Sequence, residues 1–104
     1  MAEATRSIED IAKPFVEFGI YDSEDKFLED VVREMVKSKI AAYEKIIKRF
    51  QAKYKTPFSE FTKKMERRAT PEQEDEWMEW ESSVNMLNAW KKAAREIGIR
   101  ARNH

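Results

Sequence analysis

Apolar residues recur in steps of three and four through residues 23–54, where Val32, Val36, Ile40, Tyr43, Ile47, Phe50 and Tyr54 mark one side of a helix. The stretch contains no Gly and no Pro. At about 1.5 Å per residue it predicts a rod of roughly 48 Å, which needs apolar cover along its whole length. That cover must come from the rest of the chain or from a second copy. A second stripe of the same kind, Trp80, Val84, Leu87, Trp90, Ala94 and Ile97, predicts another long helix from Thr70-Pro71 to about Ile97, stopped by Gly98. Gln73, three residues after Thr70, completes a capping box at its start.

Shorter elements fill the gaps. Ser7 is placed to cap a helix over Ile8 to Phe18, with Ile8, Ile11, Phe15 and Phe18 on one side and Glu9 and Asp10 in the first turn. Pro14 either kinks that helix or opens its main turn. Gly19 suits a left-handed end, with Ile20 as the apolar contact that follows it. Asp22 or Ser23 then caps the long helix. The Thr56-Pro57 pair ends it near Lys55 and predicts a short helix, with Thr56 as cap, Pro57 as first helical residue, and Phe58, Phe61 and Met65 at helical spacing. The expected fold is all-α, with two long antiparallel amphipathic helices and two short ones in a dimeric helical bundle.

Composition narrows this further. A chain of 104 residues predicts one domain over residues 1–104, with residues 1–6 as a flexible arm and residues 99–104 as a basic tail. Charged residues make up 38% of the chain against an average of about a quarter, as expected where thin helices leave much surface wet. The 12% aromatic content argues against disorder, and two Gly with three Pro are too few turns for an all-β fold. With no Cys, disulfides and thiolate chemistry are excluded. The opening MAEATRSIED has no apolar core, and no apolar run approaches the roughly twenty residues of a membrane span. A soluble, cytoplasmic protein is the expectation.

Charge is sorted into blocks. Residues 1–34 carry ten acids and four bases, residues 35–68 three acids and eleven bases, residues 69–88 six acids and no base, and residues 89–104 one acid and five bases. In an antiparallel hairpin Lys45, Lys48, Arg49 and Lys53 would lie beside Glu72, Glu74, Asp75 and Glu76. Lys91, Lys92 and Arg95 would lie beside Glu24, Asp25, Glu29 and Asp30. Exposed pairs are worth at most about 1 kcal/mol each, so the blocks choose orientation more than they add stability.

Candidate chemistry is sparse. The basic block from Lys37 to Arg68 could grip phosphates, but the chain is neutral overall, which argues for a solvated face rather than nucleic-acid binding. The acids Glu72, Glu74, Asp75, Glu76, Glu79 and Glu81, opposed by Asp30 and Glu34, could hold Mg²⁺ in a metal-dependent nucleotide hydrolase. They are interleaved with Trp77 and Trp80, which suit the buried side better. The only His is His104, and no nucleophile–base pair can be assembled. No catalytic residue, cofactor or metal ligand is therefore assigned, and the chain is expected not to be an enzyme. The core and dimer seam are assigned to Phe27, Val31, Met35, Ile40, Tyr43, Ile47, Phe50, Trp80, Val84, Leu87 and Trp90.

The run GIYDSEDKFLEDVVREMVKSKIAAYEKIIKRF resembles the helical part of small prokaryotic antitoxins, in which a glycine, an apolar residue and a tyrosine lead into a long helix. The following FQAKYKTPFSEFTKKM and EDEWMEWESSVNMLNAW look like small archaeal and bacterial proteins encoded beside toxin genes. The likeness spans about residues 19–90. It implies a non-enzymatic antitoxin that lays a helix or arm across a ribonuclease-type toxin. Ribbon-helix-helix antitoxins open with a DNA-reading strand, which MAEATRSIEDIAKPF does not supply, so toxin binding rather than operator binding is the part implied. Residues outside the core stripes are the candidates for that contact: Phe15, Phe18, Trp77, Arg95, Arg100 and Arg102. Homodimerisation is expected beside it. The alternatives are the metal-dependent hydrolase and a purely structural self-associating module.

Overall fold

Side-chain caps set three of the four helix starts. Ser7 Oγ accepts from the Asp10 N–H at 3.1 Å and starts α1, Ile8–Glu17, while Ser23 Oγ accepts from the Lys26 N–H at 3.1 Å and starts α2, Glu24–Tyr54. Of the two candidate caps for α2, Ser23 is the one used. Thr70 and Gln73 exchange both bonds of a capping box at the start of α4, Pro71–Glu96. Between them lies α3, Phe58–Arg67. The computed structural model describes residues 7–98, and among them every regular element is helical. The arm 1–6 and the tail 99–104 lie outside the described residues.

Pro14 sits inside α1 and leaves it continuous. Gly19 has φ 77° and ends the helix in a Schellman arrangement: its N–H bonds Val16 C=O at 3.0 Å, and the Ile20 N–H bonds Phe15 C=O at 2.9 Å. Ile20 itself is exposed rather than folded back as the apolar contact. Gly98, with φ 76°, closes α4 in the same hand.

One boundary differs from the sequence expectation. Thr56 does not cap α3, and Pro57 is not its first helical residue. Pro57 is itself the N-cap, with φ −67° and ψ 158° and no side-chain bond. The cause lies one step earlier, where Lys55 takes φ 54° and bonds Gln51 C=O at 2.7 Å. The reversal is made by the left-handed lysine, so α3 begins one residue later than a Thr-Pro start predicts. A non-Gly residue in that region costs about 1–2 kcal/mol, which its surroundings must offset.

The chain forms two compact units, Met1–Met35 and Val36–His104, with the boundary inside α2. In the first, Phe27 is the centre: the Phe15 ring stacks on it at 4.6 Å and the Tyr21 ring meets it edge-on at 5.4 Å. In the second, the core is Phe50 on α2, Phe61 on α3 and Trp80 on α4. The Trp80 ring is fully buried and lies 5.3 Å from the rings of Phe58 and Phe61, 5.5 Å from Phe50 and 6.3 Å from Tyr54. Ile47 and Val84 pack against this cluster, and Ile40 is buried, while Tyr43, Leu87 and Trp90 are half-buried. Phe61 was not among the residues assigned to the core from sequence, yet it closes the floor beneath Trp80. The Trp80 indole N–H is the one buried side-chain donor without a partner among the described residues. Its cost, about 1–3 kcal/mol, is offset by four aromatic contacts around the same ring.

Candidate functional site

Most of the exposed large apolar side chains lie in the first unit. Of the eleven large hydrophobic side chains exposed among the described residues, eight fall between Ile8 and Met35. They form two edges. On α1, Ile8, Ile11 and Phe15 recur at helical spacing and lead to Phe18 and Ile20 at the helix end. On α2, Leu28, Val31 and Met35 recur at the same spacing.

Phe18, at 79% exposure, is the most open of them. Phe15 is less free, at 37%, because its ring is also stacked on Phe27. Ile20 is a surface residue that sequence reasoning assigned to the helix cap, and only its exposure reveals it. Within the dimer assignment, Val31 and Met35 are exposed and Phe27 is half-buried.

Trp77 stands differently. It is half-buried, its ring lies 6.0 Å from that of Phe58, and its Nε1–H donates to Thr62 Oγ1 at 2.9 Å. Most of its face and its only polar atom are engaged inside the second unit. Arg95 is exposed on the last turn of α4, and Arg100 and Arg102 lie outside the described residues.

Three acids near the α4 start, Glu72, Glu76 and Glu79, are occupied in side-chain pairing. Glu76 accepts from Lys53 Nζ at 2.6 Å and from the Tyr54 hydroxyl on its other oxygen, and Glu79 accepts from Arg49 at 3.1 Å. Lys53 also lies 3.8 Å from Glu72. The bond from Lys53, followed by that from Tyr54, holds the Glu76 carboxyl below its ordinary value. Burial first, and the bond to Glu76 second, push the Tyr54 phenol up. The Glu76 carboxylate likewise raises the Lys53 ammonium. At the other end of α4, Lys91 meets Glu44 on α2 at 3.7 Å.

In the first unit the Tyr21 hydroxyl donates to Asp30 Oδ2, which raises the phenol's pKa. Among the described residues no group of three or more His, Cys, Asp or Glu side chains is disposed to hold a metal ion. No described helix is long and apolar enough to cross a membrane. The chain matches no protein-family model, no curated protein and no solved structure.

Proposed function

We propose that this protein is a non-enzymatic protein-binding module of the antitoxin type, which neutralises a ribonuclease-type toxin by covering it. The observation that carries this reading is the concentration of exposed apolar side chains on α1 and the start of α2. Charge gives the occupant its chemistry. Residues 1–34 have a balance of −6, whereas a ribonuclease must hold phosphates with Lys and Arg. An apolar face on so acidic a segment complements such a surface and opposes nucleic acid itself.

Co-expression with the genomic neighbour is the test. Full-length chain should relieve the neighbour's toxicity and co-purify with it, and Phe18→Ser combined with Ile20→Ser should lose both at unchanged helicity. A neighbour that is neither toxic nor retained by the full-length chain ends this reading.

The long antiparallel pairing of α2 with α4 belongs to the same proposal. It is supported by the contacts of Lys53 with Glu76, Arg49 with Glu79 and Glu44 with Lys91, which run in opposite residue order along the two helices. A homodimer is favoured by the open edge at Val31 and Met35. Sedimentation at tens of micromolar should give twice the 12.4 kDa chain mass, and Met35→Lys should return the chain to monomer. A parent chain that sediments only as monomer removes the dimer and leaves the toxin-binding reading standing.

A further inference from the structure

Two concavities differ in how their cations are answered. The larger, in the first unit, places Lys26 and Arg33 among Asp22, Glu29 and Asp30, so its two cations are outnumbered by acids of the same lining. The smaller, about 230 Å³, lies in the second unit where α2, α3 and the first turn of α4 come together. Its apolar lining is the ring of Tyr54, Phe61 and Met65. Its charged lining is Lys64 and Arg68, one helical turn apart, and no acid lines it. Four other cations of this unit do have acids: Lys53 with Glu76, Arg49 with Glu79, Lys63 with Glu60 and Lys91 with Glu44. Neither Lys64 nor Arg68 makes an ion pair with a described residue.

Two uncharged donors complete the wall. Thr56 lines the concavity, and its hydroxyl is left free of capping because α3 starts from Pro57 without a side-chain bond. Gln73 uses its carbonyl oxygen to accept the Thr70 N–H at 3.0 Å, which leaves its amide N–H groups to donate. The result is a recess with an aromatic and thioether floor and donors at the rim. The volume lies below the roughly 300–1,000 Å³ of sites for drug-sized ligands, so it suits one ring or branched side chain with a short stem.

We infer that this recess binds a small aromatic or branched aliphatic carboxylate, its body on Tyr54, Phe61 and Met65 and its carboxylate between Lys64 and Arg68. The same chemistry is offered by a free acid and by the C-terminus of a peptide ending in Phe or Leu. Arg supplies a planar fork for the two carboxylate oxygens and Lys a second, movable donor. This site is independent of the apolar face on α1.

The test is titration of the full-length, isotope-labelled chain, followed by amide chemical shifts. The probes are 3-phenylpropionate, its amide, inorganic phosphate, and a short peptide ending in Phe as free acid or as carboxamide. Saturable shifts at Thr56, Met65 and Gln73 are expected with the acid, weakened about tenfold or more by Lys64→Gln with Arg68→Gln and by amidation of the ligand. Saturation by the free-acid peptide alone assigns the site to a chain terminus. Saturation by 3-phenylpropionate assigns it to a small molecule. Both replaced side chains are exposed, so the variant's thermal midpoint should be unchanged. Equal binding of acid and amide, equal binding of phosphate alone, or no saturable shift with any probe overturns the inference, whatever becomes of the toxin-binding reading.

Discussion

The two units contain similar apolar material and use it differently. Between Ile8 and Met35 the chain has Ile, Leu, Val, Met, Phe and Tyr side chains in abundance, yet the one buried residue there is Ala12. Between Val36 and Gly98 the same types, joined by Trp, bury Val36, Ile40 and Ala94 and the aromatic set Phe50, Phe61 and Trp80. The difference lies in how many elements meet. A helix has one apolar stripe and must lay it on another element. The second unit brings parts of α2, α3 and α4 around one indole, whereas the first has α1 and a few turns of α2 to close around Phe27. Hydrophobic content alone does not make a core.

The largest expected effect breaks this comparison most directly. Trp80→Ala should cost about 3–5 kcal/mol in chemical denaturation, because it removes a buried ring with four aromatic neighbours. Trp80→Phe should cost clearly less, since it keeps a ring in place and removes the unpartnered N–H. Equal losses for the two variants would mean that the indole, rather than the ring stack, is what the core requires.

Much of this arrangement was legible in the sequence. Ser7, Ser23 and the Thr70–Gln73 box are local chemistry, decided within four residues; Ser7 and the box cap as expected, and Ser23 is the one used of the two candidates, Asp22 and Ser23. Gly19 and Gly98 turn left-handed for the same local reason. Lys55 was not legible, because nothing in its own side chain favours positive φ and the demand comes from its surroundings. Phe61 was visible as a member of a helical triplet with Phe58 and Met65, but periodicity does not say which of three short-helix residues reaches the centre. Exposure was the hardest property to read. Ile20 and Phe15 have the same apolar character as Ile40 and Phe50, and only the number of elements packed around them separates open from buried.

The next effect is smaller and tests the caps. Thr70→Ala should cost about 1 kcal/mol by removing the acceptor for the Gln73 N–H, while Thr56→Ala should stay within about 0.5 kcal/mol because Thr56 caps nothing. A loss of about 1 kcal/mol at Thr56 would restore it as a cap and displace Pro57 from that role.

The pH response should be smaller again, with its acid limb set by Glu76 in the second unit and its alkaline limb shared by Lys53 and Tyr54 with Tyr21 of the first unit. Glu76 has its carboxyl lowered from an ordinary value of 4.5 by Lys53 and Tyr54. A lowered carboxylate stabilises the fold above its unfolded value and loses that contribution as pH falls through the folded one. The thermal midpoint should therefore decline below about pH 4.5, less steeply in Glu76→Gln. Tyr54 and Lys53 are raised, so their contributions hold below their ordinary values of 10.0 and 10.5 and fade as pH rises through the shifted ones. Tyr54→Phe should flatten the alkaline limb. Identical limbs in the parent and both variants would show that the Lys53–Glu76–Tyr54 cluster is not coupled to folding.

The smallest stability effect is the one that bears on function. Phe18 and Ile20 are large apolar residues, 79% and 62% exposed, and a side chain already in water has little burial to lose. Phe18→Ser and Ile20→Ser should therefore leave the thermal midpoint within about 0.5 kcal/mol of the parent. A residue held on the surface only by chance should also be neutral in binding, whereas one held there for a partner should not. Truncation of an exposed aromatic anchor at an interface centre typically costs about 2 kcal/mol or more of affinity, close to a thirtyfold loss. The same truncation at Ile47, which packs on the core, should reverse the ranking and lower stability first. Measured together, folding midpoint and affinity for the co-purified neighbour separate the two units. If Phe18→Ser lowers the midpoint by several kcal/mol, Phe18 is core and the open face on α1 is not a docking surface. If it changes neither midpoint nor affinity, the apolar edge on α1 has no share in binding, and the contact must be sought on Arg95 and the tail beyond it.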